Sequence, residues 1–456
     1  MLLGDPGTPV VDVTLDSREV APNWMFCCLP GSQRDGHEFA ISAVDAGASV
    51  LLVERELFMP PGRAVAQVVV AEARAATGWI AAAANQHPSD DLLLAGVTGT
   101  NGKTTTTQLI GDVVRFAGRR VEVLGTLSGR HTTPEAPDLQ RQLARCRDSG
   151  VQVVVMEVSS HALALDRVSG THFDVAAFTN LGRDHLDLHV TTERYFAAKA
   201  RLFEPRFADR GVVNTDDVHG RLLFDLAGIP MTGFSLDELG DVVVGPTRHS
   251  YRWRGREVSV SMGGLFNVAN SLAAAETCRA LGIDDDVIVA GLAAASPVPG
   301  RFEPIEEGQN FAVLVDYAHT PDGIRAAVRA ARATITGGRV IVVFGCGGDR
   351  DRDKRPEMAV AAADADEMVI TSDNPRSEDP SSIIDAIVRG VPGDYRGTVV
   401  IEPDRRTAIA LALTDAGHGD IVVIAGKGHE TTQTIGDQVL DFDDRVVARS
   451  LLRAGA

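Results

Sequence analysis

The sequence predicts an α/β protein of three domains: a small α/β N-terminal domain, a central domain on a doubly wound parallel sheet, and a C-terminal Rossmann-like domain. A chain of 456 residues is too long for one ordinary core. Short continuous apolar runs alternate with Ala-rich helical stretches, the order of parallel α/β units. Glycines number 45 and aromatics reach only 5%, a mix suited to close helix-to-strand contact rather than to an aromatic-rich sandwich.

The N-terminal domain, residues 1–88, holds β-like runs at 48–54 and 65–70 between helical stretches. The central domain, 89–298, opens on the apolar run 92–97, which ends in a Gly/Thr turn and a helix beginning near Lys103. Further buried-strand runs at 151–158 and 175–180, with a shorter one at 211–214, make this domain doubly wound. The turn-rich segment 296–300, Ser-Pro-Val-Pro-Gly, is the expected linker. Beyond it, 299–456 alternates runs at 312–315, 340–344, 367–372, 399–402 and 421–425 with helical stretches, which predicts a second Rossmann-like sheet.

Hydrophobic residues at 44% and charged residues at 23% are the balance of a soluble globular protein. A net charge of -18 opposes a bulk nucleic-acid or anionic-membrane surface, so neither partner is expected and any phosphate site must be local. Cys27, Cys28, Cys146, Cys278 and Cys346 form no CxxC pair, as expected of thiols in a reducing compartment. The first residues lack a basic stretch followed by an apolar one, and no run reaches the roughly 18 apolar residues that cross a bilayer. A cytoplasmic protein is expected.

Gly99-Thr100-Asn101-Gly102-Lys103-Thr104-Thr105 directly follows an apolar run, where successive backbone N–H groups and a helix N-terminus converge on an anion. This is a phosphate loop, a shortened variant because the strict template would place glycine at Val97. Lys103 can reach terminal phosphates, and the Thr104 hydroxyl can hold Mg²⁺. Glu157 stands at the end of a predicted strand, where it is either a solvated strand-end acid or a second magnesium ligand. His185 ends another apolar run, where a lone histidine is more often a structural hydrogen-bonder than a ligand. By pattern alone Lys199 is an ordinary surface lysine on an amphipathic helix. Asn267 and Asn270 suit a helix cap, and Asp316, Tyr317 and His319 a βα turn. Arg376, in Asp373-Asn374-Pro375-Arg376 after the run 367–372, offers a planar fork matched to a carboxylate.

The segments 99–105, 156–163, 178–187 and 195–203, in that order, resemble the central domain of the Mur ligases, of which folylpolyglutamate synthetase is a more distant relation. Segments 15–18 and 30–37 resemble the family's UDP-binding first domain, so the resemblance runs essentially end to end. Within the family, the whole chain is similar to the members that add the third residue of the peptidoglycan stem peptide. The resemblance implies a monomeric ATP-dependent ligase joining meso-2,6-diaminopimelate to the D-glutamate carboxylate of UDP-N-acetylmuramoyl-L-alanyl-D-glutamate through an acyl phosphate. Lys103, Glu157, His185 and Lys199 would be catalytic, with Mg²⁺ held by Thr104, Glu157, His185 and a carbamate formed on Lys199 from CO₂.

The same resemblance places ATP against the phosphate loop, Asn267, Asn270, Asp316, Tyr317 and His319. It places the UDP-muramoyl-dipeptide against Leu15, Ser17, Ser32, Gln33, Arg34, Thr132, Thr133, Ser159 and Arg167. Here the chain departs from some relatives: His131 precedes Thr132, Leu165 stands two before Arg167, and the uridine stretch is not identical. Diaminopimelate would meet Arg350, Asp373, Asn374, Pro375, Arg376, Gly426 and Glu430. Related lysine-adding enzymes lack the arginine at the position of Arg376. A lysine-adding or other amino-acid-adding ligase and a non-catalytic ATP-binding switch are the competing readings.

Overall fold

Continuous apolar runs become parallel strands when helices cover both faces of the sheet, and each of the three principal sheets is of this kind. The computed structural model describes every residue except 32, 33, 130, 183, 185 and 456. The chain divides into two compact units, residues 1–235 with 273–288, and residues 236–272 with 289–456.

The first unit carries two sheets. In the N-terminal one the spatial order is Leu2–Leu3, Ala66–Val69, Ala48–Val53, Trp24–Cys27, Asp12–Thr14, parallel except for the first strand. Alternation sends Met25, Cys27, Val50 and Leu52 to one core and Phe26, Cys28, Leu51 and Val53 to the other. The strands Asp12–Thr14 and Trp24–Cys27 were not anticipated, being only 3 and 4 residues long.

The second sheet has six parallel strands in the order Met231–Phe234, Ala208–Asn214, Phe173–Phe178, Leu93–Thr98, Val153–Glu157, Val121–Leu124. The chain steps out from Leu93–Thr98 to the edge strand Val121–Leu124, returns at Val153–Glu157, and then crosses to the other side. That reversal puts a topological switch point at the carboxyl end of Leu93–Thr98, where doubly wound sheets bind ligands.

The second unit holds an antiparallel ribbon, Gly240–Val244, His249–Trp253 and Arg256–Val260, which the sequence reading did not anticipate. Its main sheet runs Glu303–Pro304, Ala312–Asp316, Ile421–Ala425, Val340–Phe344, Glu367–Ile370, Thr398–Ile401, parallel except at the first strand. Val342, Phe344 and Val423 enter the core on one face, and Ile341, Val343 and Val422 the core on the other. The expected mixed α/β class, with a doubly wound central sheet and a second Rossmann-like sheet, is therefore observed. A separate hairpin, Thr432–Ile435 with Gln438–Asp441, follows the last main strand.

Candidate active site

The phosphate loop takes its shape from two glycines. Gly99 has φ +151°, and a Cβ there would lie 1.9 Å from Thr179 Oγ1. Gly102 has φ +85° and caps the helix Lys103–Phe116, a conformation that costs an L side chain energy. Thr179 and Asn180, at the end of the neighbouring strand, brace the loop. Thr179 Oγ1 donates to Asn101 O at 2.6 Å, and Asn101 N donates to Asn180 Oδ1 at 3.0 Å. The helix N-terminus is thus open to an anion while its approach is rigid.

Lys103 Nζ donates to Gly99 O at 3.0 Å and Thr100 O at 2.9 Å. Lys199, which pattern alone assigns to the surface, is 1% exposed. Its Nζ donates to the same Gly99 O at 2.7 Å and lies 4.5 Å from the centre of the Tyr195 ring. Lys199 stands four residues after the buried Tyr195, on the inward face of the helix Thr192–Ala200, while the polar Glu193 and Arg194 face out, so it is not the surface lysine that pattern alone suggests. Burial pushes its pKa well below the ordinary 10.5, the Lys103 charge pushes it further down, and Asp184 opposes both.

Glu157 is not a solvated strand-end acid either, being 1% exposed. It accepts from Thr126 N at 2.8 Å, Thr104 Oγ1 at 3.0 Å and Thr126 Oγ1 at 3.3 Å. A buried carboxylate beside a threonine hydroxyl is the oxygen donor set that Mg²⁺ takes. Among the described residues no three His, Cys, Asp or Glu side chains gather as a metal cluster. His185 lies outside the described residues.

Around Glu157 the structure collects four residues expected to hold the dipeptide. Thr133 Oγ1 donates to Glu157 O at 2.9 Å and accepts from Ser159 N at 3.0 Å. Arg167 Nη1 donates to Thr133 O at 3.2 Å and pairs with Glu135 at 2.8 Å. Thr132 Oγ1 lies 3.1 Å from Thr126 Oγ1. Within the same unit a cleft of about 800 Å³ is lined by Leu15, Ser17, Arg34, Phe39, Glu135 and Arg141 among others. Leu15, Ser17 and Arg34 are the expected uridine contacts; Ser32 and Gln33 lie outside the described residues. Arg141, which the sequence reading missed, reaches from the helix Ala136–Asp148 to Asp12 at 3.1 Å and Val13 O at 2.8 Å.

In the second unit Asn267 and Asn270 are buried inside a helix rather than capping it, with Asn270 Nδ2 donating to Asn267 Oδ1 at 3.0 Å. Asp316 accepts from Phe302 N at 2.7 Å and Ala318 N at 2.9 Å, and burial raises its pKa. The Tyr317 ring lies 4.5 Å from that of His319 and 5.0 Å from that of His429, with the Arg301 guanidinium 4.7 Å from its centre. Arg301 was not a sequence candidate; its place directly after the Pro-Gly turn was read only as a linker.

The loops carrying the expected acceptor contacts do assemble. Gly348 N donates to Asn374 O at 2.9 Å, and Arg376 Nη1 donates to Gly348 O at 2.6 Å, so the loops of Arg350 and Arg376 are joined. Asn374 Nδ2 donates to Glu430 Oε2 at 2.9 Å. Gly426 has φ +121°, and its N–H bonds Asp316 O at 3.1 Å. Pro375 is buried, and Arg350 is exposed. Lys427 and Gln433, both buried against these loops, were not anticipated, since neither belongs to the matched motif positions.

A phosphate loop at the switch point of a doubly wound sheet, with two lysines converging on it, defines a nucleotide-dependent α/β enzyme. The Mur ligase middle domain model matches residues 97–278, the Mur ligase glutamate ligase domain 300–428, and the Mur ligase family catalytic domain 9–90. A protein of Geobacillus thermodenitrificans named UDP-N-acetylmuramoyl-L-alanyl-D-glutamate--2,6-diaminopimelate ligase is 45% identical, covering 98% of this chain and 96% of its own. One of the same name from Streptomyces avermitilis is 42% identical, covering 97% and 92%. A solved structure of that name has a TM-score of 0.71 at 33% identity, covering 98% of this chain and 95% of its own. The MurF ligase of Thermotoga maritima in complex with ADP shares the fold, with a TM-score of 0.63 at 18% identity and coverage of 99% and 98%. The chain belongs to the Mur ligase family, and it is an ATP-dependent amide-bond ligase.

Proposed function

We infer that the protein joins meso-2,6-diaminopimelate to the D-glutamate carboxylate of UDP-N-acetylmuramoyl-L-alanyl-D-glutamate in peptidoglycan precursor synthesis. The γ-phosphoryl group of ATP passes to that carboxylate, giving an acyl phosphate and ADP. The diaminopimelate amine then attacks the acyl carbon, the amide C–N bond forms, and phosphate leaves with the C–O bonding pair. What carries this reading is the meeting of Lys103 and Lys199 on Gly99 O, beside the Thr104–Glu157 pair at 3.0 Å. Phosphoryl transfer needs little covalent help from protein and much position and charge, which this cluster supplies.

Mg²⁺ would be held by Thr104, Glu157, His185 and a Lys199 carbamate, and would supply positive charge to the phosphates and the developing oxyanion. The carbamate has a physical basis in this chain. CO₂ reacts with a neutral amine, forming the N–C bond as the amine proton leaves, and the depressed pKa of Lys199 favours that neutral form. Left as an ammonium beside Lys103, it would repel a cation. Asn267, Asn270, Asp316, Tyr317 and His319 are the proposed adenosine contacts. Leu15, Ser17, Ser32, Gln33, Arg34, Thr132, Thr133, Ser159 and Arg167 are the proposed UDP-muramoyl-dipeptide contacts.

The acceptor assignment rests on Arg376, with Arg350, Asp373, Asn374, Pro375, Gly426 and Glu430 around it. Lysine and diaminopimelate differ by a distal carboxylate, and a guanidinium aimed there rewards only the latter. We place the reaction in the cytoplasm because it consumes ATP, with the enzyme acting as a monomer. Among the described residues no helix is long and apolar enough to cross a membrane. Phosphate release measured with UDP-muramoyl-dipeptide, ATP and each amino acid in turn tests the reading. Release with diaminopimelate and little with lysine is expected; preferential release with lysine, or none with any amino acid, would overturn it.

A further inference from the structure

The acceptor loop is held in a conformation it would not adopt alone. Arg376 has φ +53°, in the left-handed region that an L side chain occupies only when its surroundings impose it. The imposing element is the hairpin Thr432–Ile435 with Gln438–Asp441. Arg376 N donates to Thr434 O at 3.0 Å, and Gly436 N donates to Arg376 O at 2.7 Å, so residue 376 extends the hairpin's free edge by one bridge. The strand Gln438–Asp441 is exposed at every residue, so it adds little to any core. What the hairpin provides is a backbone edge for Arg376.

Two buried side chains lock that edge to the loop. Gln433, 6% exposed, donates from Nε2 to Asp373 O at 2.7 Å. Lys427, 0% exposed, donates to Thr432 O at 2.5 Å, Glu430 Oε2 at 3.2 Å and Asn374 Oδ1 at 3.4 Å. Thr434 N also donates to Asn374 Oδ1, at 3.0 Å. With its oxygen occupied by two donors, the Asn374 amide must turn its Nδ2 toward Glu430, where the 2.9 Å bond is found. A buried ammonium is a poor source of net stability, because desolvation consumes most of its attraction to the neighbouring carboxylates. Its distinctive effect here is geometric.

We propose that Lys427 and Gln433 are positioning residues for the acceptor amino acid, holding Asn374, Glu430 and Arg376 in the arrangement that selects a distal carboxylate. This rests on the reading of Arg376 and Glu430 as acceptor contacts. The test uses full-length Gln433→Leu and Lys427→Met enzymes, with KM and kcat measured separately for diaminopimelate, lysine, ATP and UDP-muramoyl-dipeptide. The KM for diaminopimelate should rise about tenfold or more, with kcat and the other two KM values little changed. The preference for diaminopimelate over lysine should fall by about the same factor.

A merely structural role would lower kcat or raise all three KM values together, and that outcome, like an unchanged preference, overturns the proposal. Gln433→Leu keeps the test open should Lys427→Met fail to fold, because it removes one neutral donor and leaves no charge unpaired. Wild-type enzyme inert toward diaminopimelate would instead refute the proposed function. Wild-type dependence on diaminopimelate with unaltered variants would refute the positioning role alone.

Discussion

Replacing Arg376 with alanine separates diaminopimelate from lysine more sharply than any other single change. Its Nη1 is committed to Gly348 O at 2.6 Å, which leaves the other guanidinium edge to meet a carboxylate. A hydrogen bond to a charged group contributes about 1.5–3 kcal/mol, so kcat/KM for diaminopimelate should fall by roughly 10- to 150-fold. Lysine has no distal carboxylate to lose, and its kcat/KM should stay within about threefold of wild type. Truncation also removes the Gly348 bond, a cost of about 1 kcal/mol to the fold, which thermal unfolding would register separately. The assay is phosphate release with each amino acid varied at saturating ATP and UDP-muramoyl-dipeptide. Equal losses for the two amino acids, or no loss for diaminopimelate, would show that Arg376 does not read the distal group.

Lys199→Met should abolish turnover while changing the pH dependence of unfolding. A lysine whose folded pKa is depressed binds fewer protons folded than unfolded, so its penalty on the fold shrinks as pH rises from the depressed value toward the ordinary 10.5. Wild type should therefore gain Tm relative to the variant between neutral and alkaline pH; parallel Tm curves would contradict a buried amine. In Gly99→Ala the new Cβ would stand 1.9 Å from Thr179 Oγ1, which cannot swing away without losing its bond to Asn101 O. Titration with ATP should show affinity lost by about tenfold or more, alongside roughly 1–3 kcal/mol of stability; wild-type affinity would refute the rigid loop. The Arg405–Asp444 pair is fully buried at 2.7 Å, and Arg405 also donates to Ala425 O at 3.0 Å. Arg405→Met should cost about 3–5 kcal/mol in denaturant unfolding, and the double variant Arg405→Met with Asp444→Leu should recover most of it; additive losses would refute the pairing argument.

Much of the site was legible because its chemistry demands local patterns. A phosphate loop needs strand, glycines and helix in immediate succession, and residues 99–105 carry all three. Apolar runs of parallel strands are most visible where both faces are buried, and every expected run in the central and C-terminal sheets became a strand, the half-exposed edge strand Thr398–Ile401 included. The short strands Asp12–Thr14 and Trp24–Cys27 and the ribbon at 240–260 lacked that signal. Lys103 was placed by its motif, whereas Lys199 was placed on the catalytic side only by family resemblance.

By itself the sequence determined the long apolar strands of the central and C-terminal sheets, where the phosphate loop falls and which family the motifs resemble, since these depend on neighbours a few positions apart. Only the tertiary structure decided that Lys199 is buried on Gly99 O, that Glu157 is sealed among threonines, and that Lys427 and Gln433 stand behind the loop 373–376. These facts join residues from about 30 to 100 positions apart. Burial and charge depend on what folds against a side chain, and no local pattern carries that information.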